Sequence, residues 1–245
     1  MPSKLKLSPL RGSLAEQAYQ AVRQMILRGE LPPGAAVARR PLAERLGVSF
    51  LPVSEALQRL EHDGLVESWP RVGTRVKVPT LQDVRGNYII REALESQSAR
   101  LFAEKASPAE RAEMEKMAVL VDSMQADPRV DFFDFFTAHE RFHRRLAECA
   151  GCPALAEAIE KTNTLIRTWQ YAAMSECREL PERCHEALVE ELARSDAEAA
   201  DRAMREHVRH GMEEVLHHME PHFHAAFPAA PAKKPRSHAA GRGHR

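Results

Sequence analysis

The chain has 245 residues, 44% hydrophobic and 29% charged, with a formal net charge of zero. That is an ordinary globular balance, and the length allows two domains with cores of their own. No apolar run approaches the roughly 20 residues that cross a bilayer, MPSKLKLSPLRG lacks the apolar stretch of a signal peptide, and four cysteines are too few for a disulfide framework, so a cytoplasmic protein with no membrane partner is expected.

The zero hides a gradient. Residues 1–79 carry 12 Lys/Arg against 7 Asp/Glu, residues 228–245 carry 5 Lys/Arg and no acid, and the stretch between carries 18 against 28. A basic end on an acidic body suits a polyanionic partner.

Residues 14–28 place Leu14, Ala18, Val22, Met25 and Ile26 on one helical face. Ser13 is positioned to cap that helix, with Glu16 completing a capping box. Gly29 and Pro32-Pro33-Gly34 end it. Pro41 then opens a short helix with Leu42, Ala43 and Leu46, and Gly47 closes it. Ser49 can cap a third helix that runs to about Asp63 with Val53, Ala56, Leu57 and Leu60 inward. Helix, glycine turn, serine-capped helix is the layout of a helix-turn-helix. After Gly64, LVES and TRVKV alternate as two strands joined at Trp69–Gly73, a wing. Residues 10–79 are therefore expected to form a winged helix-turn-helix DNA-binding domain.

From Thr80 the pattern is helical throughout, with helices expected at 81–105, 108–126, 131–150, 153–177, 180–194 and 196–222. Ser107-Pro108, Asp127-Pro128, Cys152-Pro153 and Leu180-Pro181 mark breaks, and Pro221 interrupts the last helix. The fold class is mainly α, with residues 80–227 an all-helical bundle and residues 228–245 a disordered basic tail.

His139 and His143 are four apart on a helix and can hold one metal ion together. The same stretch spells H-E-x-x-H, in which Glu140 would be the base of a metal-dependent hydrolase. His185 and His207 lie on later amphipathic helices. Cys149 and Cys152 form a C-x-x-C, read as ordinary thiols, and His217, His218, His222 and His224 form a cluster that can take up metal adventitiously.

The N-terminal pattern closely resembles the GntR superfamily of bacterial regulators. The residues that carry it are Pro32-Pro33-Gly34, Leu42-Ala43-Glu44, Leu46-Gly47-Val48-Ser49, Pro52-Val53, Glu55-Ala56-Leu57, Arg59-Leu60, Gly64-Leu65-Val66 and Gly73-Thr74. The resemblance implies a double-stranded DNA operator read by Arg40, Ser49, Phe50, Ser54, Arg59, Arg71 and Gly73, with Arg75 a further basic candidate. The family usually has Arg where this chain has Phe50, Thr at Leu51 and Arg at Ser54. Losing cations there weakens phosphate contact, and Phe50 can instead meet a thymine methyl. One recognition helix reads few bases, so a homodimer on a two-fold operator is expected.

The C-terminal pattern resembles the FCD-type ligand-binding domain of the FadR subfamily. Phe142-His143 matches its "FH", and His185 and His207 match two later histidines. The family's aspartate falls on His139. The resemblance implies one divalent transition metal on His139, His143, His185 and His207. Four imidazoles favour zinc, nickel or cobalt, zinc or nickel foremost, over magnesium or manganese. Arg91, in an R-x-x-L-E match, and Arg167 would face an effector cavity, which Trp169 can also line. Arg91 beside a doubly charged ion favours a small organic acid as effector, a carboxylate. The reading is a DNA-binding transcription regulator, not an enzyme. The alternatives are a regulator that answers to the metal itself and an H-E-x-x-H hydrolase.

Overall fold

A computed structural model describes residues 12–173 and 183–225, with the side chains of residues 167–173 and 218–225 excepted. Cys177, the Leu180-Pro181 break, the basic tail, and the side chains of Arg167, Trp169, His218, His222 and His224 lie outside the described residues.

Helix α1 spans Leu14–Leu27. Ser13 caps it by accepting the Glu16 N–H at 3.2 Å. The Glu16 carboxylate turns to Gln20 and Arg59 rather than closing the expected capping box. Helix α2, Arg39–Leu46, begins two residues before Pro41, which therefore sits in the first turn, where a missing N–H costs nothing. It ends on Gly47 at φ 67°, a left-handed conformation that glycine adopts without strain. Helix α3, Phe50–His62, follows Ser49, whose hydroxyl makes no capping bond, contrary to the expectation.

Strands β1, Val66–Trp69, and β2, Gly73–Val76, pair antiparallel with Val66 opposite Val76 and Trp69 opposite Gly73. Ala36 adds a single bridge to Arg75. Val22, Ile26, Leu46, Val53, Leu57, Leu60 and Val76 close one core beneath these elements.

The second core belongs to six helices: α4 Leu81–Lys105, α5 Pro108–Ala126, α6 Phe132–Cys149, α7 Pro153–Ala173, α8 Cys184–Leu192 and α9 Ala197–Ala225. Thr80 with Asp83, and Ser107 with Glu110, form complete capping boxes that fix where α4 and α5 begin. Helix α9 does not stop at Pro221 but continues to Ala225, the proline removing one backbone donor near its end. Tyr88, Phe102, Met114, Phe142, Leu146, Leu192 and Met204 fill the bundle. No helix among the described residues is long and apolar enough to cross a membrane.

The two cores meet along α7. Arg23 Nη2 donates to Thr164 Oγ1 at 2.6 Å, Lys161 Nζ lies 3.8 Å from Asp63 Oδ1, and Leu165 packs against both cores.

Candidate metal centre and DNA-binding face

Three helices deliver four imidazoles to one point. His139 and His143 share a face of α6, with Nε2 atoms 3.3 Å apart. His185 enters from the first turn of α8 and His207 from the middle of α9. One nitrogen from each of the four lies within 4.8 Å of those of the others. The Phe142 ring stands edge-on to His143 and His185, 5.2 Å from each, and walls the cluster from behind.

Two carboxylates stand beside the rings. Asp122, on α5, accepts from His185 Nδ1 at 2.6 Å and from the backbone N–H of Glu186 at 2.9 Å. This places the His185 proton on Nδ1 and leaves Nε2 as a lone-pair donor. That Nε2 is buried and has no hydrogen-bond partner among the described residues. Glu95 Oε2 lies 2.9 Å from His143 Nδ1, out of line for a straight hydrogen bond, and Glu95 Oε1 accepts from Arg91 Nε at 2.8 Å. Burial works against the Glu95 charge, yet Arg91 and His143 outweigh it and hold the carboxyl well below its ordinary range. Asp122 is likewise held low against its burial by His185 and the Glu186 N–H.

The arrangement fits a borderline transition metal. Burial, reinforced by the other histidines and Arg91, pushes His139 and His207 well below the ordinary imidazole value, so both are neutral near pH 7. Burial takes His143 down to about 4 despite Glu95 beside it. Neutral imidazoles are the ligand form. An orphaned buried nitrogen costs roughly 1–3 kcal/mol, which a cation at that point removes. A second group, Asp122, Cys184 and His185, also lies within ligand reach. Burial and Asp122 push the Cys184 thiol up to about 12, which keeps it protonated and a poor ligand.

Asp122 carries no sequence signal that singles it out. It lies 63 residues before the histidine it orients, and only the packing of α5 on α8 joins them. Arg91 is 5% exposed and paired with Glu95, with Nη2 3.1 Å from His143 Nε2. Glu95 and Asp122 thus offset part of the positive charge expected around the ion.

A cavity of about 400 Å³ opens beside the histidines, lined by His139, His185, His207, Arg91, Tyr88 and three phenylalanines among others. Glu140, the base that a hydrolase would need, lines a different cleft with Arg23, Arg144 and Asn163. The C-x-x-C thiols are free, and burial raises Cys149 to about 11, which keeps that thiol protonated.

At the other end, Ser49, Phe50 and Leu51 are exposed at the start of α3, with Phe50 58% and Leu51 66% accessible. Arg40 is exposed and its Nε lies 3.5 Å from Glu44 Oε1. Arg71, at φ 66°, Val72 and Gly73 form the exposed wing tip. Ser54 Oγ is buried and makes no hydrogen bond among the described residues, and the exposed Arg59 pairs with Glu16 and lies over the Tyr19 ring of α1. Arg75 pairs with Glu67 at 3.1 Å and lies over Trp69.

Residues 14–76 match the family model of bacterial regulatory proteins of the gntR family, and residues 88–210 match the FCD domain. The chain belongs to the GntR family, with an FCD domain behind its winged helix. The "Probable D-xylose utilization operon transcriptional repressor" of Paenarthrobacter nicotinovorans is 32% identical over 202 residues, covering 81% of this chain and 87% of that protein. The transcriptional repressor RspR of Escherichia coli K12 is 26% identical over 221 residues, covering 88% and 94%. Escherichia coli McbR/YncC has the same fold, with a TM-score of 0.70 at 23% identity, covering 84% of this chain and 99% of that one. This GntR-family chain is a DNA-binding transcriptional regulator.

Proposed function

We propose that this regulator binds one divalent transition metal, zinc or nickel foremost, through His139, His143, His185 and His207, and that a small carboxylate reaching the ion and Arg91 from the cavity alters operator affinity. The observation that carries this is the convergence of four imidazoles, His143 and His185 buried and His139 and His207 half-buried, one with an orphaned Nε2, beside a cavity of about 400 Å³. When bound, the metal supplies a Lewis-acidic point for a carboxylate oxygen. The chain's own groups would hold it: Asp122 orients His185, Glu95 lies beside His143, and Phe142 walls one side.

Residues 10–79 would serve as the DNA-binding domain and residues 80–227 as the sensing domain. Arg40 and Arg71 meet phosphates, while Ser49, Phe50 and Gly73 approach the groove, as the exposed first turn of α3 and wing tip allow. The working unit is a homodimer on a two-fold operator, in the cytoplasm where that DNA is. Operator sites are first selected from random duplexes, and affinity is then followed by fluorescence anisotropy for zinc-loaded and chelator-stripped chain. A carboxylate that shifts affinity only in the zinc-loaded chain supports the proposal. A shift produced by zinc alone, with no response to any acid, makes the metal itself the signal.

A further inference from the structure

We propose that the cavity beside the histidines takes a monocarboxylate bearing a flat apolar ring, of the arylacetate or arylpropanoate class. This rests on the reading that a metal-held carboxylate is the effector and adds what the rest of the ligand is.

The walls define the body of the ligand. Phe132, Phe135 and Phe136 sit at i, i+3 and i+4 in the first turns of α6, and all three line the cavity. Their rings are locked together edge to face, 4.5 Å between Phe132 and Phe136 and 5.1 Å between Phe135 and Phe136. Leu188 from α8 and Val215 from α9 also line the cavity. Rings arranged edge to face accept a further ring in the same geometry. A hydroxyl placed against this aromatic wall would have no partner there, which is unfavourable.

Charge sets the number of carboxylates. A divalent ion and Arg91 bring three positive charges, and the buried Glu95 and Asp122 cancel two. Among the groups that surround the ion itself, one carboxylate neutralises the remainder. A second would be uncompensated, and it would share the cavity with Glu191, Glu206 and Glu214, which also line it. The volume suits a ligand of this class.

The test is calorimetric titration of the zinc-loaded full chain with 3-phenylpropanoate, phenylacetate, succinate, citrate and 3-phenylpropanol. The aryl acids are expected to bind at least about tenfold tighter than succinate, citrate or the alcohol. Gly211 lines the cavity, and a Cβ built there meets nothing within 4 Å. Gly211→Leu should therefore fold, since leucine is the better helix former, while filling the space. It should weaken the aryl acids at least about tenfold and leave zinc affinity unchanged. Tighter binding of succinate or citrate overturns the inference and leaves the underlying reading standing. Binding of no carboxylate overturns both. Aryl acids that bind Gly211→Leu as they bind the unmodified chain also overturn it, because the ligand then lies elsewhere.

Discussion

Asp122 Oδ1 lies 2.6 Å from His185 Nδ1, and the same carboxylate accepts the backbone N–H groups of His185 and Glu186. One side chain thus fixes a ring, its tautomer and the start of α8. Asp122→Asn keeps the size but lets the amide present either its oxygen or its NH₂, and it removes the charge that strengthens the imidazole as a donor. Zinc affinity is expected to fall about 10- to 100-fold, the usual effect of losing such a partner. Competition with a chromogenic chelator measures it. Unchanged affinity would place the ion away from His185.

The metal-free protein should lose stability as pH falls below neutral. His139, His143 and His207 have imidazoles lowered in the folded state, His143 to about 4, against an ordinary 6.5. Between those values the unfolded chain binds more protons, so stability is present above about pH 6.5 and drains away as pH falls towards 4. Each histidine that stays neutral contributes a slope of up to about 1.4 kcal/mol per pH unit. Urea denaturation of chelator-treated chain at pH 7 and pH 5 reads this directly. Glu95 and Asp122, held low, add the same sign only at more acid pH. His143→Leu should flatten the profile, and an equally steep one would assign the slope to other groups.

The exposed Phe50 is expected to alter how α3 reads DNA. Its ring, 58% accessible, can cover a thymine methyl but cannot pair with phosphate or guanine. On a selected operator, replacing thymidine by deoxyuridine opposite α3 should weaken binding, and Phe50→Ala should erase that difference. Phe50→Arg should strengthen non-specific binding and steepen its salt dependence by about one ion, whereas Arg40→Ala should make it shallower by about one. Equal affinity for thymidine and deoxyuridine operators in the unmodified chain rules out methyl contact.

Local rules made much of this visible beforehand. Capping residues and prolines gave the ends of α4 and α5, because Thr80, Ser107 and Pro108 act within one turn. The pairing of His139 with His143 follows from helical spacing alone. Their meeting with His185 and His207 was legible only through family likeness, since no local rule places α8 and α9 beside α6. Asp122 and the way Glu95 joins Arg91 to His143 were not legible, because both depend on packing between distant helices. The pairing of the exposed Arg59 with Glu16 and the Tyr19 ring was not legible either, because it depends on how α1 packs on α3.

Helix α7 joins the two ends of the molecule, and breaking its outer contacts should disconnect them. On one side Asn163 Nδ2 reaches Glu95 Oε1 at 3.5 Å, and Glu95 lies against His143, one of the proposed metal ligands. On the next residue, Thr164 Oγ1 accepts Arg23 Nη2 of α1 at 2.6 Å. Leu165 then packs against both cores, its Cδ2 3.6 Å from where a Cβ on Gly64 would stand. A shift of Glu95 on metal or effector binding therefore has a short, packed route to the DNA-binding helices. Thr164→Val keeps the shape and removes the acceptor, and Arg23→Gln shortens the donor from the other side. Each should leave zinc affinity and metal-free DNA affinity within about twofold of the unmodified chain, while the factor by which zinc changes DNA affinity falls towards one. The double variant should do no more than either single one if both act through this one bond. Coupling is reciprocal, so the DNA-induced change in zinc affinity must shrink by the same factor, and this second titration checks the first. Full coupling retained in both single variants would show that the signal crosses the interface at Leu165 or Lys161 instead.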